Sequence, residues 1–305
     1  MDLNIEIAGV ALPNPILAAS GTFGYGVELE DIVNLKKLGA VVTKGLSLQP
    51  MAGNPSPRLF ETSAGMLNSV GLQNIGAAAF VRTRLPRLRQ IGARVITNVF
   101  GYTVEDYLEA IAVLNEGEGI AAYELNVSCP NTQRGGMIFG SDPRLLAEVV
   151  ERVKRTARRP VIVKLTPNVT SIAEMARVAE AAGADALTLV NTFLGMAIDP
   201  RTRRPRFANV VAGLSGPAIK PLAVRMVWEA YQAVKIPLIG AGGIATGEDA
   251  VEFLLAGATA VEVGTASYAD PRATERLAKG LESWCRSHNV EKAASLTGAV
   301  EIAKG

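Results

Sequence analysis

The chain has 305 residues, of which 49% are hydrophobic and 30 are glycine, and its formal net charge is +2. Those values suit one large α/β domain that buries roughly three quarters of its unfolded surface without covalent staples. A charge this close to zero, with both signs scattered along the sequence, argues against a nucleic-acid partner and against an acidic membrane surface.

Along the chain, residues 4–15 (NIEIAGVALPNP) read as an N-terminal hairpin. Short apolar, β-branched runs follow at 14–20, 39–45, 93–99, 121–128, 160–165, 185–191, 236–242 and 259–265. Between the later runs lie stretches with apolar residues at three-to-four spacing: VEDYLEAIAVLNEG, DPRLLAEVVERVKRTA, SIAEMARVAEAAG, KPLAVRMVWEAYQAV and TGEDAVEFLLAGA. Eight strand-helix units with right-handed crossovers close into a (β/α)8 TIM barrel, with the hairpin under its floor. Residues 46–80, with Pro50, Pro55 and Pro57, show no clean helix until their end, and a connection that long in a compact domain is usually functional. The polar segment 131–140 reads as an active-site lid, and Arg201 to Arg206 as a solvated basic loop. No Pro/Ser-rich linker divides the sequence, so residues 1–305 are expected to form a single domain.

Two cysteines, Cys129 and Cys285, cannot build a disulfide framework or a four-cysteine metal site. A single histidine, His288, removes clustered-histidine metal sites and Ser-His-Asp catalysis, so no metal is expected. The first residues lack a basic stretch followed by an apolar one, and no apolar run reaches spanning length, so a soluble cytoplasmic location is expected.

Catalytic residues of such barrels sit at the C-terminal ends of the strands. Those ends here carry Ser20-Gly21, Lys44-Gly45, Asn98, Asn126 with Ser128-Cys129, Lys164, Asn191-Thr192, Gly242-Gly243 and Gly264-Thr265. A ring of amides and ammonium groups is a poor packing layer, because unpartnered buried polar groups cost a few kcal/mol each. Glu124 precedes Asn126 by two residues and points to the same side of its strand, about 6.6 Å lower. Its expected role is that of a buried partner for Lys164 or Lys44. The two glycine pairs before C-terminal helices suit a phosphate monoester, whose oxygens accept from free backbone N–H groups. Cys129 lies in a polar loop beside Pro130, an unlikely place for inert packing, and is the candidate reactive group; Cys285, in the last helix, reads as packing.

With NVSCPN, NSVGLQN, TKG, VIVKL, VNT, GAGGI and VGTA all present, the chain resembles the class 1 dihydroorotate dehydrogenases from near residue 4 to near residue 300. GMLNSVGLQN and CPNTQRGGMIFGSDP resemble class 1B, whose catalytic subunit works with an electron-transferring subunit. The resemblance implies oxidation of (S)-dihydroorotate to orotate in pyrimidine biosynthesis, with FMN as the phosphate-bearing cofactor. It implies Cys129 as the base for the C5 proton, in a place where class 2 has Ser, and Lys44 between substrate and flavin. Asn68, Asn126, Asn131, Asn191 and Thr192, with backbone of Gly71 and Leu72, would hold the orotate carboxylate and ring amides. Lys164 would face the flavin N1/C2 edge. Ser20, Gly21, Gly45, Asn98, Val190, Gly216, Gly242, Gly243, Gly264 and Thr265 would complete the FMN site, which Lys44 and Asn126 also touch. FAD and a [2Fe–2S] cluster would belong to the partner subunit, since two cysteines cannot ligate a cluster and no dinucleotide fingerprint is present. A homodimer within a heterotetramer is implied as well. Two other readings stay open: a dihydropyrimidine dehydrogenase-type flavin barrel, and a phosphate-binding aldolase or isomerase barrel using Lys44 or Lys164.

Overall fold

The structure, a computed structural model, describes residues 1–128, 130, 131 and 137–302, without the side chains of 130, 131 and 137. Eight parallel strands close into a barrel: Ile16–Ala18, Val41–Val42, Val95–Val99, Ile120–Asn126, Val161–Lys164, Ala186–Leu189, Leu238–Ala241 and Ala260–Val263. The fold is therefore a (β/α)8 TIM barrel. Seven strands fall inside the stretches that the sequence marks, and the fourth, Ile120–Asn126, begins one residue before its stretch 121–128.

Side chains alternate in and out along each strand, and this alternation organises the interior. Leu17, Val42, Ile96, Ala122, Ile162, Ala186, Ile239 and Ala260 form an apolar floor, closed from below by Ile5, Ile7 and Leu12 of the antiparallel hairpin Ile5–Ile7/Val10–Leu12. Two residues further along the same eight strands stand Ala19, Lys44, Asn98, Glu124, Lys164, Thr188, Ala241 and Glu262. One pleat thus separates a greasy layer from a polar one.

The helices pack their apolar stripes on the outside of the strands. Helix Pro143–Thr156 buries Leu145, Leu146, Val149, Val150 and Val153, at three-to-four spacing, and Asp142 caps it by accepting from the N–H groups of Arg144 and Leu145 at 2.8 and 3.1 Å. Capping boxes, with a Thr and an Asp bonded reciprocally, start helices Val104–Asn115 and Gly247–Ala256.

The stretch 46–80 differs from a bare loop. It contains the hairpin Leu59–Thr62/Gly65–Asn68, which joins Val211–Ser215 and Phe193–Met196 in a four-stranded antiparallel sheet. Residues 201–205 of the Arg201 to Arg206 segment are exposed, as expected for a solvated loop, whereas Arg206 is half-buried. It is nevertheless ordered as a turn between Ile198–Asp199 and Arg204–Pro205, and the Arg206 guanidinium lies 4.8 Å from the centre of the Phe60 ring. Cys285 is fully buried in helix Ala273–Ser287 and burial pushes its thiol up. His288 stacks on Trp284, ring centroids 4.0 Å apart.

Candidate active site

Above the polar layer, at the C-terminal ends of the strands, opens a cavity of about 1480 Å³. That exceeds the roughly 300–1,000 Å³ of a pocket for one small ligand, so it has room for two molecules side by side. Among the described residues expected to hold substrate or cofactor, all but Asn131 line it: Ser20, Gly21, Lys44, Gly45, Asn68, Gly71, Leu72, Asn98, Asn126, Lys164, Val190, Asn191, Thr192, Gly216, Gly242, Gly243, Gly264 and Thr265. The four-stranded sheet supplies a wall of this cavity through Asn68, Gly213 and Ser215, which gives the long connection 46–80 its place. Cys129 lies outside the described residues, as do residues 132–136 of the expected lid. Of Asn131 only the backbone is described, paired with Met137 in a two-residue ladder.

One side of the cavity is a row of amides. Asn126 Oδ1 accepts from Asn191 Nδ2 at 3.1 Å and from the Ser128 N–H at 3.2 Å, and Asn191 Nδ2 also donates to Ser128 Oγ at 3.0 Å. The Thr192 N–H donates to Asn191 Oδ1 at 2.8 Å. Asn68 Nδ2 donates to the Gly213 carbonyl at 3.2 Å. These bonds fix the planes of the amides; the Nδ2 group of Asn126 keeps no protein acceptor among the described residues and is free for a ligand oxygen. Next to Asn68, Gly71 and Leu72 both take positive φ, +75° and +56°. A side chain on Gly71 would collide with Asn54, so glycine is required where the backbone turns its polar groups inward.

The opposite side is a cradle of main chain. Gly242 and Gly243 adopt φ of +128° and +79°, and a Cβ on Gly243 would stand 2.8 Å from Lys220 Cβ and 2.9 Å from the Gly216 carbonyl oxygen. The N–H groups of Gly243, Gly264 and Thr265 have no backbone acceptor among the described residues. Backbone N–H groups without acceptors, on glycines and one threonine at the strand ends, suit an anion.

The two lysines are held differently. Lys44 has no ion pair among the described residues, and burial, with the nearby Arg58 charge, lowers its pKa below the ordinary lysine value. Burial alone would lower Lys164 too, but the Glu124 and Glu262 carboxyls outweigh it and push its pKa up to about 12. Lys164 Nζ lies 2.5 Å from Glu262 Oε2 and 3.6 Å from Glu124 Oε1. The expected Glu124–Lys164 contact is therefore present, but the shorter one goes to Glu262, a residue passed over in the sequence. Its signal is the strand alternation: Glu262 precedes Gly264 by two, as Glu124 precedes Asn126. Ser215, whose hydroxyl accepts from Thr265 Oγ1 at 2.8 Å, is a second cavity residue with no local signal.

The sequence profile of the family described as dihydroorotate dehydrogenase matches residues 2–284. A putative dihydroorotate dehydrogenase A (fumarate) from Solibacter usitatus is 60% identical over 300 residues, covering 98% of this chain and 99% of that protein. The dihydroorotate dehydrogenase B (NAD(+)) catalytic subunits of Geobacter sp. and Geobacter sulfurreducens are each 54% identical over 301 residues, covering 99% of both chains in each pair. A profile that spans nearly the whole barrel, and relatives this similar from end to end, place the chain in the dihydroorotate dehydrogenase family.

Proposed function

We propose that this chain is the catalytic subunit of a class 1B enzyme that oxidises (S)-dihydroorotate to orotate in pyrimidine biosynthesis, with FMN as its cofactor. The observation that carries the reading is the pairing, in one cavity, of an anion cradle with a facing row of fixed amides. The cradle fits FMN: unaccepted N–H groups at Gly243, Gly264 and Thr265 suit its phosphate. Asn98 Oδ1, buried and without a donor among the described residues, is the kind of orphan acceptor that a ring N–H satisfies. When bound, FMN supplies the acceptor for the hydride leaving C6 of the substrate.

This chain's own residues do the remainder. Ser20, Gly21, Gly45, Val190 and Gly216 line the cavity where FMN would lie, and Lys164 would offer its positive charge to the flavin N1/C2 edge, where negative charge would develop on reduction. Asn68, Asn126, Asn131, Asn191 and Thr192, with the backbone of Gly71 and Leu72, hold the substrate carboxylate and ring amides. Lys44, half-buried and without a counter-anion among the described residues, meets the anionic substrate beside the flavin. Cys129 takes the C5 proton, since a thiolate is a competent base at neutral pH.

The partner is an electron-transfer subunit carrying FAD and a [2Fe–2S] cluster, joined to a homodimer of this chain. The resemblance to class 1B in CPNTQRGGMIFGSDP favours NAD+ as the final acceptor; the fumarate in the printed name of the Solibacter relative makes the acceptor the point to test. Anaerobic addition of dihydroorotate should bleach the bound flavin within seconds, and acceptors are then added in turn. A purified chain that holds no flavin, or a flavin that dihydroorotate leaves oxidised, defeats the reading.

A further inference from the structure

Inside the barrel, directly under the cavity, three ionisable side chains share one enclosed space. Glu124 and Glu262 are 0% and 1% exposed and Lys164 is 7% exposed. They come from the fourth, eighth and fifth barrel strands. The third and sixth strands add Asn98 and Thr188, which donate to the two oxygens of Glu124 at 2.7 and 2.8 Å. The second strand adds Lys44, the other charged group of the layer, which pairs with neither glutamate among the described residues.

Glu124 is thus surrounded as a carboxylate should be, with a donor on each oxygen. Glu262 is not. Its Oε2 accepts from Lys164 at 2.5 Å, while its Oε1 is buried and meets no donor among the described residues. The two carboxyl groups nevertheless crowd one ammonium, Glu262 at 2.5 Å and Glu124 at 3.6 Å from Lys164 Nζ, and buried carboxyls that share a single counter-ion favour holding one proton between them. If both were ionised, Lys164 would face two buried negative charges, with Lys44 pairing with neither among the described residues, and an uncompensated buried charge is costly. Burial and the neighbouring Glu124 charge push the Glu262 carboxyl well above the usual range, in the same direction.

We propose that Glu262 is a positioning residue for Lys164, and that it works as the neutral acid of a carboxyl pair sharing one proton with Glu124. The pair supplies a single negative charge to Lys164, so the triad is neutral and the ammonium keeps its attraction for charge developing above it. Two ionised carboxylates would present net negative charge there and disfavour flavin reduction. The proton stems from two buried carboxyls gathered about one ammonium; its effect on the flavin rests on the FMN reading above.

The test has two arms. Infrared spectra are taken of the holoprotein at neutral pH, with and without 13C-carboxyl glutamate, whose isotope shift separates a glutamic acid band from the flavin carbonyls. No other carboxyl among the described residues is buried, so a protonated acid band belongs to this pair. The band should be present in wild type and lost in both Glu262→Gln and Glu124→Gln, because either amide leaves the remaining carboxyl as the sole counter-ion of Lys164. In the second arm, the ratio of FMN affinities in the reduced and oxidised states is read from the midpoint potential. Glu262→Gln, which can still accept from Lys164 and donate to Glu124, should keep that ratio within about threefold of wild type. Glu262→Leu, which releases Lys164, should lower it tenfold or more. A missing band in wild type, or a band that survives both amide variants, overturns the shared proton, whatever the flavin does. A tenfold change in Glu262→Gln overturns the positioning role. If Glu262→Leu does not fold, the labelled wild type and the two amide variants still decide.

Discussion

Lys44 and Lys164 occupy the same ring of inward side chains, yet one faces two carboxyls and the other faces none. The consequence for Lys44 follows from the sign of its shift. Its folded pKa lies below the unfolded value because burial, and then Arg58, disfavour the charged form. The charged side chain therefore weighs against folding below the folded pKa, and the cost fades as pH rises through it or as an anion binds. Lys44→Met should accordingly raise the melting temperature of the ligand-free protein while weakening orotate binding tenfold or more, since a bond to a charged group contributes about 1.5–3 kcal/mol. A melting temperature that falls would remove this account of Lys44. For Cys129, replacement by Ala should retain FMN and orotate but slow flavin reduction by about 10² to 10⁴, the usual loss on removing a general base. Cys129→Ser should recover part of the rate as pH rises, because a hydroxyl is a far weaker acid than a thiol. Near wild-type single-turnover reduction in the Ala variant would exclude Cys129 as the base. Lys44, Lys164 and the asparagines are legible in the sequence because each stands at a strand end; Glu262 escapes because a lone acid inside an apolar run gives no sign of which partners the closed barrel brings to it.

Among the elements, the loop from Gly242 to helix Gly247–Ala256 shows how a cap serves a ligand. Asp249 Oδ2 accepts from the N–H groups of Ala245 and Thr246 at 2.9 and 2.8 Å, Thr246 Oγ1 accepts from the Asp249 N–H at 3.1 Å, and Lys220 Nζ donates to Asp249 Oδ1 at 2.7 Å. Thr246→Ala should cost about 1 kcal/mol of stability and also speed FMN release, since it loosens the segment that follows the cradle. Ser171→Ala removes the cap of helix Ile172–Ala181, where Ser171 Oγ accepts from the Glu174 N–H at 3.2 Å. Its stability loss should be similar, with FMN release unchanged; equal release rates in the two variants would show that the cap does not reach the cradle. Caps and amphipathic helices are local and can be read along the chain. The four-stranded sheet cannot, because Asn68 pairs with Gly213, 145 residues away, and only the closed barrel brings those edges together.

For the whole molecule, six of the fourteen exposed large hydrophobic residues among the described ones, Leu59, Leu194, Met196, Ile198, Val210 and Val211, lie on or beside that antiparallel sheet. A patch so concentrated favours association, and the proposed homodimer predicts that Leu194→Asp with Met196→Asp shifts the sedimenting species from dimer to monomer. A wild-type chain that sediments as a monomer at micromolar concentration would dismiss it. No described helix is long and apolar enough to cross a membrane. In steady state, the chain alone should reduce NAD+ poorly with dihydroorotate, and an FAD/[2Fe–2S] subunit should restore turnover. Brisk unaided NAD+ reduction would count against a second subunit, and brisk fumarate reduction would point to class 1A. The step from greasy floor to polar layer carries a further consequence, for insertions and deletions. Because one pleat separates the two layers, losing or gaining a single residue within a barrel strand would turn both inside out together, setting Val163 where Lys164 stands or Val261 where Glu262 stands. The reading frame of each strand is thus constrained more tightly than its composition: the barrel can exchange Val for Ile in its floor, yet cannot slip by one.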